Sequence, residues 1–334
     1  MTETPLTPGP RNLITDIKGI SVGHATDEKV KTGVTVLRCA SAFVCAADVR
    51  GGAPGTREID VLSTENLVGK ADAIVLTGGS VFGLAAADGA AVALSSANVG
   101  LTLSGKGPAI PIVPAAVLHD LGNDGDKNWG DEPPYRALGV KAVKSASADF
   151  KLGSHGAGRG AMAGIVKGGL GSASLQLENG IIVGALVAAN PVGSVFTADG
   201  KTFHAWAYEI GGEFGNGAPP SQRESAEPIP PLSRLNKNPK PGENTTLAIV
   251  AVNADLTGVE AKRMAMMAHD GIARAVRPAH TGFDGDIVFA VATGEKALPG
   301  GDAFIRQGMV ARIAAAASDC LTRAIARAVY EANR

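Results

Sequence analysis

The sequence predicts a layered domain of mixed strands and helices, α/β or α+β, with helices covering both faces of central sheets. Three observations carry this. Short apolar runs rich in β-branched residues and punctuated by glycine recur through the first half: Ile20–Val22, Gly33–Leu37, Phe43–Ala47 and Ala73–Leu76. Two later runs, 181–190 (IIVGALVAAN), which ends in the polar Asn190, and 287–292, are continuously apolar, as in strands buried on both faces. Two segments show a helical period instead. Met264, Met267, Ala268, Gly271, Ile272 and Ala275 share one face of a helix within 257–277. Val310, Ile313, Ala314, Ala317, Leu321 and Ile325 do so within the last 30 residues.

The remaining elements follow in order. Residues 1–12 are a polar, Pro-rich tail. Ser80 is placed near the N-cap of an Ala-rich buried helix over 81–94. Prolines 108, 111 and 114 restrict Ile110–Val113 to an edge strand or loop. Residues 122–134 are a polar loop, and Arg136–Ala148 reads as helical. Residues 216–244 hold seven prolines in 29 positions with no hydrophobic period, so they read as a linker or mobile loop. Order resumes at Thr245, where TTLAIVAVNADL reads as a strand.

Composition narrows the functional classes. Lys plus Arg number 31 and Asp plus Glu 32, so there is no field to steer a polyanion, and nucleic acid is not an expected partner. The chain is 45% hydrophobic and 19% charged, enough to bury a core. With 44 glycines and 9 Phe, 2 Trp and 3 Tyr, that core is one of small aliphatic side chains and close backbones. Cys39, Cys45 and Cys320 form no CxxC pair, which reads as reduced thiols in a cytoplasmic setting. The N-terminus does not read as a signal peptide, and Val81–Leu94 is too short to cross a bilayer, so no membrane partner is expected.

Familiar motifs fail for stated reasons. Gly78-Gly79-Ser80-Val81-Phe82 places Phe where a hydrolase elbow requires Gly. Gly158-Arg159-Gly160-Ala161-Met162-Ala163, with Glu178 downstream, matches a dinucleotide fingerprint, but a polar stretch and not a buried strand precedes it. The six histidines lack metal-ligand spacing. No metal or other cofactor is expected.

Three features remain, each with two readings. A Pro-rich segment ending at a threonine that opens a core strand is either a loop entering a strand, with Thr245 chosen for β propensity, or a self-cleavage junction between Asn244 and Thr245. In the second reading the Thr245 hydroxyl attacks the preceding carbonyl, the resulting ester is hydrolysed, and the freed α-amine, with a reference pKa of roughly 7.7–8.0, serves as base for its own hydroxyl. Asp284-Gly285-Asp286 is either a turn or a carboxylate pair that orients that hydroxyl and amine. Lys167, before the Gly-rich turn Gly168-Gly169-Leu170-Gly171, is either a surface charge or a buried ammonium that supports the hydroxyl.

Six stretches together resemble one family: ITDIKGISVGHATD (14–27), AADVRGGAPGTRE (46–58), AIVLTGGSVFGL (73–84), VKGGLGSAS (166–174), ENTTLAIVAVNADL (243–256) and HTGFDGDIVFAVATG (280–294). It is the self-processing family of L-aminopeptidase/D-amidase-esterases, β-peptidyl aminopeptidases and 6-aminohexanoate-oligomer hydrolases, and the likeness spans residues 12 to 330. The resemblance implies an α+β fold, a four-layer αββα sandwich similar to the N-terminal-nucleophile hydrolases but differently connected. It implies one catalytic domain cut into 1–244 and 245–334, assembled as a homotetramer of processed subunits. It implies Thr245 as nucleophile, with Lys167, Asp284 and Asp286 in the form carried by the nylon-oligomer hydrolases. It places Asn190 on the oxyanion and Tyr135 in the pocket wall. The expected activity is hydrolysis of linear amides, either 6-aminohexanoate oligomers or short peptides. Release of N-terminal residues is the alternative, and a non-enzymatic binding module of the same fold is the reading from another class.

Overall fold

The computed structural model describes residues 7–334 except 104, 222, 225, 226, 239–243 and 301. In chain order the elements are β1 (Ile20–Asp27), β2 (Thr32–Val49), β3 (Thr56–Arg57), β4 (Lys70–Thr77), α1 (Ala85–Ser96), β5 (Ala115–Val117), α2 (Tyr135–Lys144), β6 (Met162–Ala163), β7 (Val166–Lys167), β8 (Gly169–Gln176), β9 (Ile182–Asn190), β10 (Thr245–Ala254), α3 (Gly258–Ala275), β11 (Ile287–Lys296) and α4 (Ala303–Asn333). The strands run in the order β3-β5-β4-β2-β11-β10-β9-β8, with β1 on β2.

The αββα architecture comes from a single strand. Two runs separated in the sequence reading, Gly33–Leu37 and Phe43–Ala47, are one 18-residue strand. Its first half pairs with β4 as far as Arg38, the register then shifts, and its second half, from Val44 to Val49, pairs with β11. One strand thus belongs to two sheets, and the bend folds them face to face. Leu37, Ile74 and Leu76 of the first sheet meet Leu186, Ile249 and Phe289 of the second. The outer face of the first sheet takes α1 and α2 onto Val34, Val36 and Val75. The outer face of the second takes α3 and α4 onto Val187, Val250 and Val288. Along β10 the faces alternate: Leu247, Ile249 and Ala251 point between the sheets, and Ala248, Val250 and Val252 point at α3 and α4. Every residue of β10 is buried, which explains its unbroken apolar run.

Two expectations change here. The stretch after Lys167 is not a turn but the start of strand β8. Its glycines are there because α4 packs on it backbone to backbone: a Cβ on Gly171 would lie 1.9 Å from the Ala324 carbonyl oxygen. Ser80 does not cap a helix. Gly79 (φ +87°) and Ser80 (φ +50°) turn the chain sharply into a short 3-10 segment, Ser80–Leu84, and α1 begins only at Ala85.

Candidate active site

Topology brings the chemistry together at three strand ends. β10 and β11 are parallel neighbours joined through α3, so both begin at the same edge, and Leu247 pairs with Ile287. β9 is antiparallel to β10 and ends there, with Asn190 opposite Thr245. The Asp284-Gly285-Asp286 loop leads into β11 at that edge, and a bridge joins Asn244 to Asp284. The segment after β2 holds this loop by its backbone: Ala53 N–H donates to the Asp284 carbonyl at 2.8 Å, and Arg50 N–H to that of Asp286 at 3.0 Å.

The Asn244 carbonyl at the junction has two donors. Gly285 N–H reaches it at 2.9 Å, and the Thr245 hydroxyl donates to the same oxygen. Position 285 must be glycine for this approach, because a Cβ there would stand 2.8 Å from Thr245 Oγ1 and 2.7 Å from the Ala53 carbonyl oxygen. Thr245 is 3% exposed and Asn244 fully buried. Neither polar atom of the Asn244 side chain has a hydrogen-bond partner among the described residues.

The two carboxylates are held differently. Asp286 Oδ1 accepts Thr246 N–H at 2.6 Å, one residue beyond the candidate nucleophile, and Oδ2 accepts His280 Nδ1 at 2.8 Å. Asp284 Oδ1 accepts Val192 N–H at 3.0 Å, and Oδ2 accepts the Thr281 hydroxyl at 2.7 Å and its N–H at 3.0 Å. Burial, and then the charge of Asp286, push the Asp284 pKa upward.

Asn190 is fully buried, and its amide orientation is set by its oxygen, which accepts Met162 N–H at 2.9 Å and lies 3.4 Å from the Arg234 guanidinium. Its Nδ2 is thereby turned toward the His119 carbonyl, 3.4 Å away. A cavity of about 400 Å³ opens beside it, lined in part by His119, Asp120, Met162, Asn190 and Arg234. A larger cavity of about 570 Å³, walled by Phe196, Phe203, Trp206 and Tyr330, contains none of the expected site residues. Tyr135 opens α2 and is fully buried beside Gly79 and near Asp120; burial and the charge of Asp120 raise its hydroxyl pKa.

Of the residues singled out in the sequence, Asn244, Thr245, Asn190, Asp284 and Asp286 gather at one edge; Tyr135 lies beside Gly79 and near Asp120 and does not line the neighbouring cavity. Lys167 is not bonded to them. It is exposed on the β6–β7 hairpin, its carbonyl accepts the Asn333 side chain, and among the described residues no hydrogen bond or ion pair joins it to Thr245 or the Asp pair. The buried-ammonium reading fails because β7 is a two-residue hairpin arm at the surface, with Lys167 paired to Met162.

The linker also differs from expectation where it is described. Ser233 is fully buried and donates to the Val192 carbonyl at 3.0 Å. Arg234 donates to the Met162, Asn190 and Pro191 carbonyls at 2.8–3.0 Å. Residues 232–234 are therefore docked on the end of β9; positions 222, 225, 226 and 239–243 of the linker lie outside the described residues. Sequence reasoning missed Arg234, Asp120 and His280. Only His280 had a signal, its place in the quoted 280–294 stretch, and the histidine search for metal spacing passed over it.

The cysteines offer no rival nucleophile. All three are buried, which pushes Cys39 and Cys320 up to about 12 and Cys45 well above its ordinary value. Among the described residues no helix is long and apolar enough to cross a membrane.

Comparison with known proteins places the chain in a family. The model of a family described as peptidase family S58 matches residues 12–334. An uncharacterized aminopeptidase of Mycobacterium leprae is 41% identical, over 97% of this chain and 91% of its own. A 6-aminohexanoate-oligomer endohydrolase of Kocuria is 31% identical, over 87% of this chain and 78% of its own. Among solved structures, a Pyrococcus horikoshii protein superposes with a TM-score of 0.70 at 26% identity, covering 98% of this chain and 89% of that one. The L-aminopeptidase D-Ala-esterase/amidase of Ochrobactrum anthropi, described as a variant of the Ntn hydrolase fold, superposes with a TM-score of 0.67 at 20% identity, covering 98% and 88%. That likeness establishes the fold. With its fold, strand-end site and family match in agreement, the chain belongs to peptidase family S58 and is a hydrolase acting on amide or peptide bonds.

Proposed function

We propose that the protein is an N-terminal-threonine amide hydrolase that cuts itself between Asn244 and Thr245. The observation that carries this is the placing of the Asn244 carbonyl oxygen between Gly285 N–H and the Thr245 hydroxyl. Thr245 Oγ1 attacks the Asn244 carbonyl carbon, and Gly285 N–H stabilises the charge that forms on the oxygen. The proton lost by the Thr245 hydroxyl passes to the nitrogen as the C–N bond breaks, and an ester links Asn244 to Oγ1. Water hydrolyses the ester, leaving a carboxylate on Asn244 and a free amine on Thr245. Cleavage also releases the buried Asn244 amide, which has no hydrogen-bond partner among the described residues, and this favours the cut chain.

In turnover the Thr245 amine accepts the hydroxyl proton as Oγ1 attacks a substrate amide, then gives it to the leaving amine. Asn190 Nδ2 faces the oxyanion, Asp284 and Asp286 hold the threonine amine and adjoining backbone, and water hydrolyses the acyl ester. Substrates are linear amides, with 6-aminohexanoate oligomers favoured by the Thr and Asp-Gly-Asp pattern. The greater identity to a relative named aminopeptidase favours short peptides cut at their N-terminus. The processed subunits assemble as a cytoplasmic homotetramer, which light scattering of the mature protein checks.

Mass spectrometry of purified, active protein tests the reading. Two chains, 1–244 and 245–334, are expected; active protein with that bond intact would refute it. Assays on aminoacyl anilides, β-peptides and 6-aminohexanoate oligomers then separate the substrate classes.

A further inference from the structure

We infer that His280 is a positioning residue that clamps the Asp286 carboxylate against the start of β10. The inference rests on the Thr245 reading above. Asp286 is fully buried, and each of its oxygens has its own donors. Oδ1 takes the Thr246 amide at 2.6 Å. Oδ2 takes two donors from the same residue, His280 Nδ1 at 2.8 Å and His280 N–H at 3.2 Å. Because a carboxylate only accepts, the ring proton sits on Nδ1. This two-point grip leaves Asp286 one orientation, in which it fixes the backbone next to the nucleophile.

His280 reaches that geometry at a cost. Its φ is +56°, in the left-handed region that few non-glycine residues adopt, histidine more readily than most. The ring is backed by His269 of α3, edge to face with centroids 4.8 Å apart. His269 is itself tied by Nε2 to the Asp48 carbonyl of β2 at 3.0 Å, beside the Asp48–Lys262 ion pair at 2.8 Å. The loop, a helix and the second sheet thus combine to hold one carboxylate, and the strain is located at the donor that meets it.

The test compares His280→Ala, His280→Gly and His280→Asn with Thr245→Ala, measuring the time course of self-cleavage, kcat and KM of mature enzyme, and thermal midpoint. Asparagine brings an N–H close to the position of Nδ1 and tolerates the left-handed backbone. Glycine relieves the backbone and removes the donor, which keeps the test open if the alanine variant does not fold. Loss of the donor is expected to slow both self-cleavage and kcat by about tenfold to a hundredfold, with KM changed less than about twofold. Asparagine is expected to restore both rates to within about threefold of the parent. Wild-type rates in His280→Gly, or an asparagine variant as slow as glycine, would overturn the proposal. Thr245→Ala isolates the other reading: if it is still cut and active, the threonine mechanism falls and the role of His280 with it.

Discussion

Each half of the sandwich buries an acid near the end of β9, and the two halves hold it for different ends. In the first half, Asp120 accepts the Thr32 hydroxyl at 2.6 Å and Gly79 N–H at 2.8 Å. Those bonds pin the sharp turn before α1, and burial raises the Asp120 pKa. In the second half, Asp284 and Asp286 together accept from Val192, Thr281, Thr246 and His280, all within the strand ends that carry Thr245. Burial alone therefore does not mark a reacting carboxylate. What separates the two is that Asp286 accepts the N–H of Thr246, the residue after the candidate nucleophile, while Asp284 accepts those of Val192 and Thr281.

Four substitutions press on this contrast, in order of expected effect. Thr245→Ala removes the hydroxyl itself; the chain should stay full length on a denaturing gel, with hydrolysis lowered about 10⁴-fold or more. Next comes the pair that divides the halves. Asp286→Asn is expected to slow self-cleavage about a hundredfold, because the amide nitrogen now faces an N–H donor. Asp120→Asn should cut itself within about threefold of the parent and lose about 1–3 kcal/mol in denaturant unfolding. Equal cleavage rates in these two variants would erase the distinction. Gly171→Ala tests the packing of the second half alone: a methyl against the Ala324 carbonyl should cost about 1–3 kcal/mol in unfolding free energy.

The smallest effect concerns pH. Burial lowers the His269 pKa from 6.5 to about 4. Below pH 6.5 the unfolded chain takes up a proton that the folded chain refuses, so stability falls as pH drops toward 4; above 6.5 His269 contributes no slope. At pH 5 the loss is about 2 kcal/mol. His269→Gln, which keeps a donor for the Asp48 carbonyl, should show a shallower fall in thermal midpoint between pH 7 and 5. Equal slopes would mean that His269 titrates normally.

How much was legible beforehand differs by element. β10, β11, α3 and α4 announce themselves because their periodicities are long and their burial is complete on one or both faces. The strand β8 was read as a turn because its glycines, needed for close packing of α4, are also what turns use. Thr245, the Asp pair and Asn190 stand out in motif and resemblance, and the fold brings them to one edge. Arg234 and Asp120 were not, because their partners lie 44 and 88 residues away and no local pattern encodes such contacts. Lys167 was misread for the same reason in reverse: the sequence shows a lysine beside a motif, and only the fold shows which way the hairpin faces.

By itself, the sequence determined the layered class, the fully buried strands and the strand that opens at Thr245, because hydrophobic period and turn chemistry are local properties of the chain. The tertiary structure alone decided that β2 bends through both sheets, that the starts of β10 and β11 meet the end of β9 at one edge, and that His280 rather than Lys167 faces the carboxylates. Those outcomes depend on which distant segments share a burial site, and that is settled only when the two sheets close on each other.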